Sequence, residues 1–152
     1  MRVRQLPRLI VMSPSEILLR GVEILDPVMR LHGYAFTFRE ADKGSGGDFA
    51  WGEYVRGERR LELHFRRSLG LVAYRGGPSV VQHEHYMRAK LGRNGGNQYP
   101  GFSDDPLDGF RHLAHDLEQY ASEFLSGSDA EFAAMAVRAK QLEGRRGFGA
   151  LS

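Results

Sequence analysis

The residues in this chain best suited to chemistry are its histidines and the acids near them. His83-Glu84-His85 places two imidazoles two positions apart. On an extended strand they would share a face and could ligate one metal; on a helix they stand about 200° apart and could not. Helix is the favoured state, because Ser79 with Gln82 forms a capping-box pattern and Tyr86, Met87 and Leu91 follow at helical spacing. His83 then lies toward the apolar side with Val80 and Met87, a structural position, while His85 points to water. His112-x-x-His115-Asp116 is the second group. Three-residue helical spacing brings the two rings together, but both fall opposite Leu113, Leu117 and Phe124, on the polar side of the helix, with Asp108 one turn earlier. A metal-dependent enzyme or metalloprotein would have to draw on His83, His85, His112 and His115. No HExxH pattern and no further ligand accompany them.

Other chemistries leave less trace. Asp104, Asp105 and Asp108 sit where a helix begins, and caps and the helix dipole account for them. The glycine-rich stretches 44–47 and 92–96 lack a following Lys-Ser/Thr and do not join a strand to a helix, so they are not phosphate loops. There is no G-x-S-x-G elbow. The chain has no cysteine, which removes disulfides, thiolate catalysis and cysteine zinc sites. No cofactor is implied.

The third candidate is a surface. Arg39, Arg60, Glu62, His64 and Arg66 belong to one face of a predicted sheet. Depending on strand register, their aromatic neighbours are Tyr54 and Tyr74, or Trp51 and Phe49. Arginine interleaved with aromatics is the composition of protein-binding hot spots and of platforms that stack single-stranded bases. An ordinary wet sheet face would carry similar residues.

The elements that must position these groups read clearly. Ser13-Pro14-Ser15-Glu16 opens a helix through a capping box with proline at the first helical position. Ile17, Leu18, Val22, Ile24, Leu25, Val28, Met29 and Leu31 line its apolar arc. Asp26-Pro27 lies inside this pattern and is expected to kink or interrupt the helix, which ends at His32-Gly33. Strands follow at Tyr34–Ala41, Phe49–Arg56, Arg59–Arg66 and Leu69–Arg75. Gly57-Glu58 suits a two-residue type II′ hairpin. Such a turn pairs Tyr54 with Leu61 and sends Phe49, Trp51 and Val55 to the face opposite Leu61, Leu63 and Phe65; a three-residue loop would reverse that parity. Gly76-Gly77-Pro78 is expected to end the sheet, and Ser79 to Leu91 to form a short helix. A polar loop spans 92–101. A helix opening at Asp105-Pro106 and Asp108 is expected to run to about Leu125. Ser128-Asp129-Ala130-Glu131 caps the last helix, with Phe132, Met135, Ala136, Ala139 and Leu142 inward.

Order and period together give an α+β domain: a four-stranded antiparallel meander preceded by one amphipathic helix and followed by two or three helices on one face, the last two as an antiparallel αα-hairpin. Residues 1–12 read as a flexible basic arm, 13–144 as the domain and 145–152 as a flexible tail, with Met12 an alternative start.

At 152 residues, 41 % hydrophobic and 26 % charged, the chain is large enough for an ordinary core. Its net charge is +2 and its pI about 9.1. Only Lys43, Lys90 and Lys140 are lysine; the arginine bias suits a GC-rich bacterial genome. Nucleic-acid binders carry a denser basic footprint than this, so nucleic acid is the least favoured partner. The run Leu9 to Met12 is shorter than the roughly seven residues of a secretory core, and no stretch approaches the roughly 18 of a membrane span. The sequence therefore suggests a cytoplasmic, non-catalytic protein-binding or accessory module acting through the Arg/aromatic face, with a homodimer also compatible.

Overall fold

The computed structural model describes residues 12–44, 47–92 and 104–151, with side chains over 12–41, 48–92 and 104–142. The expected arm, apart from Met12, and most of the loop at 92–101 lie outside the described residues. Helix α1 (Pro14–Leu31) starts from the capping box read in the sequence: the Glu16 N–H donates to Ser13 Oγ, and the Ser13 N–H to Glu16 Oε1 at 2.8 Å. It continues through Pro27 as one element rather than two. In the turn before that proline, the Tyr54 hydroxyl bonds both the Val22 carbonyl and Asp26 Oδ1 and ties the helix to the sheet.

Strands β1 (Ala35–Gly44), β2 (Gly47–Arg56), β3 (Arg59–Phe65), β4 (Leu69–Gly76) and β5 (Ser79–Gln82) form an antiparallel sheet in sequential order. The sheet thus has five strands, not four. The error lies at Gly77-Pro78, which turns the chain instead of ending the sheet. Gly77 takes φ +58° and proline supplies a fixed negative φ at the next position, the two values a II′ hairpin needs. Gly76 then pairs with Ser79, and 79–82 become an edge strand. Helix α2 (His83–Leu91) therefore begins after the supposed capping box, with Gln82 at its cap and no side-chain cap bond. Gly57 has φ +61° and Glu58 does not share that sign, so the β2–β3 turn is also the II′ type. Tyr54 faces Leu61.

Helix α3 (Asp108–Tyr120) breaks at Ala121 and is followed by the single turn α4 (Ser122–Leu125), where one helix to Leu125 was expected. Ser128 and Glu131 exchange backbone–side-chain bonds as predicted at the start of α5 (Asp129–Leu151). That helix includes 145–151, which the sequence alone assigns to a tail. It packs chiefly on α2 and along β5.

One core holds these elements together. Leu18, Leu25 and Met29 from α1 meet Tyr54, Leu61, Leu63, Phe65 and Tyr74 from the sheet, with Phe110, Leu113 and Leu117 from α3 and Phe124 and Phe132 beyond it. At Gly21 any Cβ would run into the Phe110 ring, so α1 and α3 approach through the absence of a side chain. The helices contribute their buried residues to the Tyr54–Leu61–Tyr74 side of the sheet.

Candidate functional site

One histidine from each group, His83 and His115, approaches Asp116, but the groups do not build a metal site. Among the described residues no three His, Asp or Glu side chains gather as a metal site. His83 is sealed in the core at 2 % exposure. His85 lines a shallow groove between β5 and α5 with Gln82 and Ala139. His115 remains exposed on α3.

Asp116 corrects the sequence reading. Grouped with His115 on a polar helix face, it is in fact fully buried. It sits three residues after Leu113 and next to Leu117, within the inward arc of a helix that begins at Asp108. Its Oδ2 lies 3.0 Å from His83 Nε2, and His83 Nδ1 lies 2.8 Å from the Tyr74 hydroxyl. A carboxylate only accepts, so Nε2 carries the proton and Nδ1 accepts from Tyr74. His115 Nδ1 approaches the other Asp116 oxygen at 3.3 Å. An acid orienting an imidazole that engages a hydroxyl is the arrangement of a hydrolytic triad. Here Tyr74, His83 and Asp116 are all at 2 % exposure or less, so no substrate reaches the hydroxyl. The chain of bonds joins β4, α2 and α3.

The other buried polar groups behave likewise. The Tyr34 hydroxyl donates to the Phe124 carbonyl. Arg59, inward by parity with Leu61 and Leu63, donates to that same carbonyl and pairs with Asp129. Arg56 closes the His32 and Leu125 carbonyls. Burial raises the Tyr34 hydroxyl pKa against the lowering effect of Arg56 and Arg59. Burial, then Asp26, raises that of Tyr54; burial, then Glu123, raises that of Tyr86. Burial alone would raise Glu123, but hydrogen bonds from Lys90 and Tyr86 leave its pKa lowered.

The opposite sheet face is different. Register sends Phe49, Trp51, Glu53 and Val55 there, beside Arg60, Glu62, His64 and Arg66 and then Leu71, Ala73 and Arg75. Tyr54 and Tyr74, candidates for this face in the alternative register, are instead fully buried in the core. No described helix lies over this face. At its centre Glu53 and Glu62 stand directly opposite each other, a like-charge pairing that is unfavourable by itself. Each is compensated from the sides. Arg39 and Arg60 reach Glu53 Oε2 at 2.6 and 2.8 Å, and Arg75 Nε reaches Glu62 at 3.1 Å. Arg39 reaches over because it is the extra residue of a β-bulge between Phe38 and Glu40. The carboxylates are sunk, with side chains 6 % and 14 % exposed, and the arginines form the outer layer at 38–43 %.

Trp51 stacks on His64 with centroids 4.9 Å apart and planes 5° from parallel. Arg66 lies over Phe49 at 5.6 Å. Burial lowers the His64 pKa, against the opposing pull of Glu62, so the Trp–His stack is uncharged at neutral pH. At the β3–β4 end Phe49, His64, Arg66 and Leu71 border an open depression of about 520 Å³.

No protein-family model, curated protein or solved structure matches the chain. Among the described residues no helix is long and apolar enough to cross a membrane.

Of the predicted surface, Arg39, Arg60, Glu62, His64, Arg66 and Trp51 share the face that no described helix covers. Glu53 and Arg75 escaped the sequence reading, although parity with Trp51 and with Ala73 would have placed both. Nothing in the sequence alone pairs His83 with Asp116, which lie 33 residues apart.

Proposed function

We propose that this chain is a non-catalytic protein-binding module that acts through the uncovered sheet face. One observation carries the reading: the face bears a cross-strand network in which arginines lie outermost over two opposed carboxylates, flanked by a Trp–His stack. Folding alone gives little reason for such an arrangement. Exposed ion pairs contribute about 0–1 kcal/mol each, and holding several arginines in one geometry costs side-chain entropy. A polar face that only met water could use isolated threonines or lysines. Ordered arginines and aromatics are instead the residue types that dominate binding energy when a partner excludes water. Among the described residues, the groups arranged like a catalytic triad, Tyr74, His83 and Asp116, are sealed in the core.

The test compares three forms of the full chain as baits: wild type, Arg60→Glu/Arg66→Glu on the sheet face, and Arg20→Glu/Arg138→Glu on exposed helix positions. A stoichiometric partner should stay with the wild type and the helix variant and leave the sheet variant. If every captured partner persists on the sheet variant, the reading is wrong.

A further inference from the structure

Resting on that reading, we infer that the occupant of the open face is a separate protein that docks with a carboxylate-rich surface. The layering gives the sign. Arg39, Arg60 and Arg75 lie outermost over Glu53 and Glu62, and with Arg66 they outnumber Glu40, the exposed acid that register places beside Trp51. The sunken carboxylates hold the guanidinium groups in place before any partner arrives, which lowers the ordering cost of binding. Arginine held this way favours planar bidentate acceptors, above all carboxylates.

The chain's own remaining segments have the wrong charge to fill this role. Residues 1–11 carry Arg2, Arg4 and Arg8 and no acid, and 93–103 carry Arg93 and no acid. A second copy fits poorly on area. Five strands about 4.8 Å apart, with about eight residues each at about 3.4 Å, give a footprint of roughly 600 Å², against about 800 Å² per partner in a standard stable interface. That size belongs to a transient contact between different proteins, in which charge complementarity governs association rate and choice of partner. A nucleic acid would need open ring faces for its bases. Trp51 and His64 cover one face of each other's ring, and Arg66 covers Phe49.

Trp51 is the single tryptophan of the chain, so intrinsic fluorescence reads this face directly. The full chain is titrated with poly-L-glutamate and, in parallel, with oligothymidylate and with phosphatidylglycerol vesicles. Poly-L-glutamate should give a saturable change in Trp51 emission that weakens with added salt. The affinity should fall about tenfold or more in Arg39→Gln/Arg75→Gln and stay unchanged in Arg20→Gln/Arg138→Gln. Circular dichroism checks the fold of each variant. Should the glutamine pair misfold, Arg39→Lys/Arg75→Lys keeps the charge but loses the planar fork, and must still bind poly-L-glutamate more weakly than wild type.

Tighter binding of oligothymidylate or vesicles, no response to poly-L-glutamate, or equal affinity in the arginine variants would each overturn the acidic occupant. So would a dimer in sedimentation that the same variants abolish. Failure here, with Arg60→Glu/Arg66→Glu still stripping a captured protein, removes only the acidic partner. A partner that persists on that variant removes the sheet-face reading itself.

Discussion

The two faces of the sheet use nearly the same residue types to opposite ends. On the helix-covered face, tyrosine, histidine and arginine are closed into the core, and their polar atoms bond to backbone carbonyls or acids of distant elements. On the open face, arginine, histidine and tryptophan bond and stack with one another across neighbouring strands. Residue type therefore says little about role in this protein, and what each polar group is fastened to says much more. Groups tied to backbone of distant elements hold the fold. Groups tied only to their neighbours on a water-facing surface can exchange those ties for a partner's.

The sharpest way to break this contrast is to remove one half of the buried pair. Asp116→Ala should cost about 2–3 kcal/mol in urea unfolding, because it leaves the His83 Nε2–H without its acceptor in a sealed site. That is a large part of the roughly 5–15 kcal/mol that holds an ordinary domain. Replacing the whole chain of bonds, as Tyr74→Phe/His83→Leu/Asp116→Leu, should cost less than the sum of its single substitutions, since the buried donors and acceptors are removed together. If Asp116→Ala unfolds at the wild-type midpoint, the buried network has no structural role and the contrast fails.

A smaller effect comes from the tyrosines. Tyr54→Phe loses the bonds to Val22 and Asp26 at constant ring packing and should cost about 1 kcal/mol. The pKa values of Tyr34, Tyr54 and Tyr86 are raised in the folded state. A raised phenol pKa adds stability that is complete below the unfolded value of about 10 and is lost as pH rises above it, since only the unfolded chain then releases the proton. Absorbance near 295 nm should therefore show these three of the six tyrosines ionising together with alkaline unfolding. Smooth ionisation of all six ahead of unfolding would show that the hydroxyls are not sealed.

The parts of this picture that the sequence carries are the local ones. Capping boxes at Ser13–Glu16 and Ser128–Glu131, the apolar arc of α1 and the alternation of β3 are set by residues within one or two turns of each other. The two-residue turn at Gly57 was one of two parities the sequence allowed, so the side to which Trp51 points had to come from the structure. What failed was local in appearance and tertiary in cause. Gly77-Pro78 serves as a breaker or as a II′ hairpin according to whether 79–82 can pair with β4. Pro27 stays within α1 because the helix is held against the sheet on either side of it, at Val22 and Asp26 through Tyr54 and at Met29 in the core. Asp116 carries no mark in its own helix that an imidazole from α2 awaits it. The open face was half legible: period-two parity selects its residues, but the bulge that brings Arg39 onto Glu53 has no sequence signature here.

On the open face, stability changes should be slight where the core changes are large. Arg60→Gln and Trp51→Ala should each shift unfolding by no more than about 1 kcal/mol. Arg39 still attends Glu53 in the first variant, and exposed ion pairs contribute little. A loss of several kcal/mol from either substitution would mean that the outer network holds the fold as the inner one does.

The smallest expected effect is also the most local. His64 is held against Trp51 with a lowered pKa, burial being the main cause. A lowered histidine pKa means that the folded state resists protonation. Its contribution is complete above the unfolded value of about 6.5 and declines as pH falls below it, because the unfolded chain binds the proton first. The stability change is slight at this partly exposed site, but the spectroscopic change is direct. Protonation puts a cationic ring against the indole, so Trp51 emission should be quenched as pH falls, with a midpoint below 6.5. His64→Gln should abolish the transition. A midpoint at or above 6.5 would show instead that Glu62 outweighs burial, and that the stack carries charge when a partner arrives.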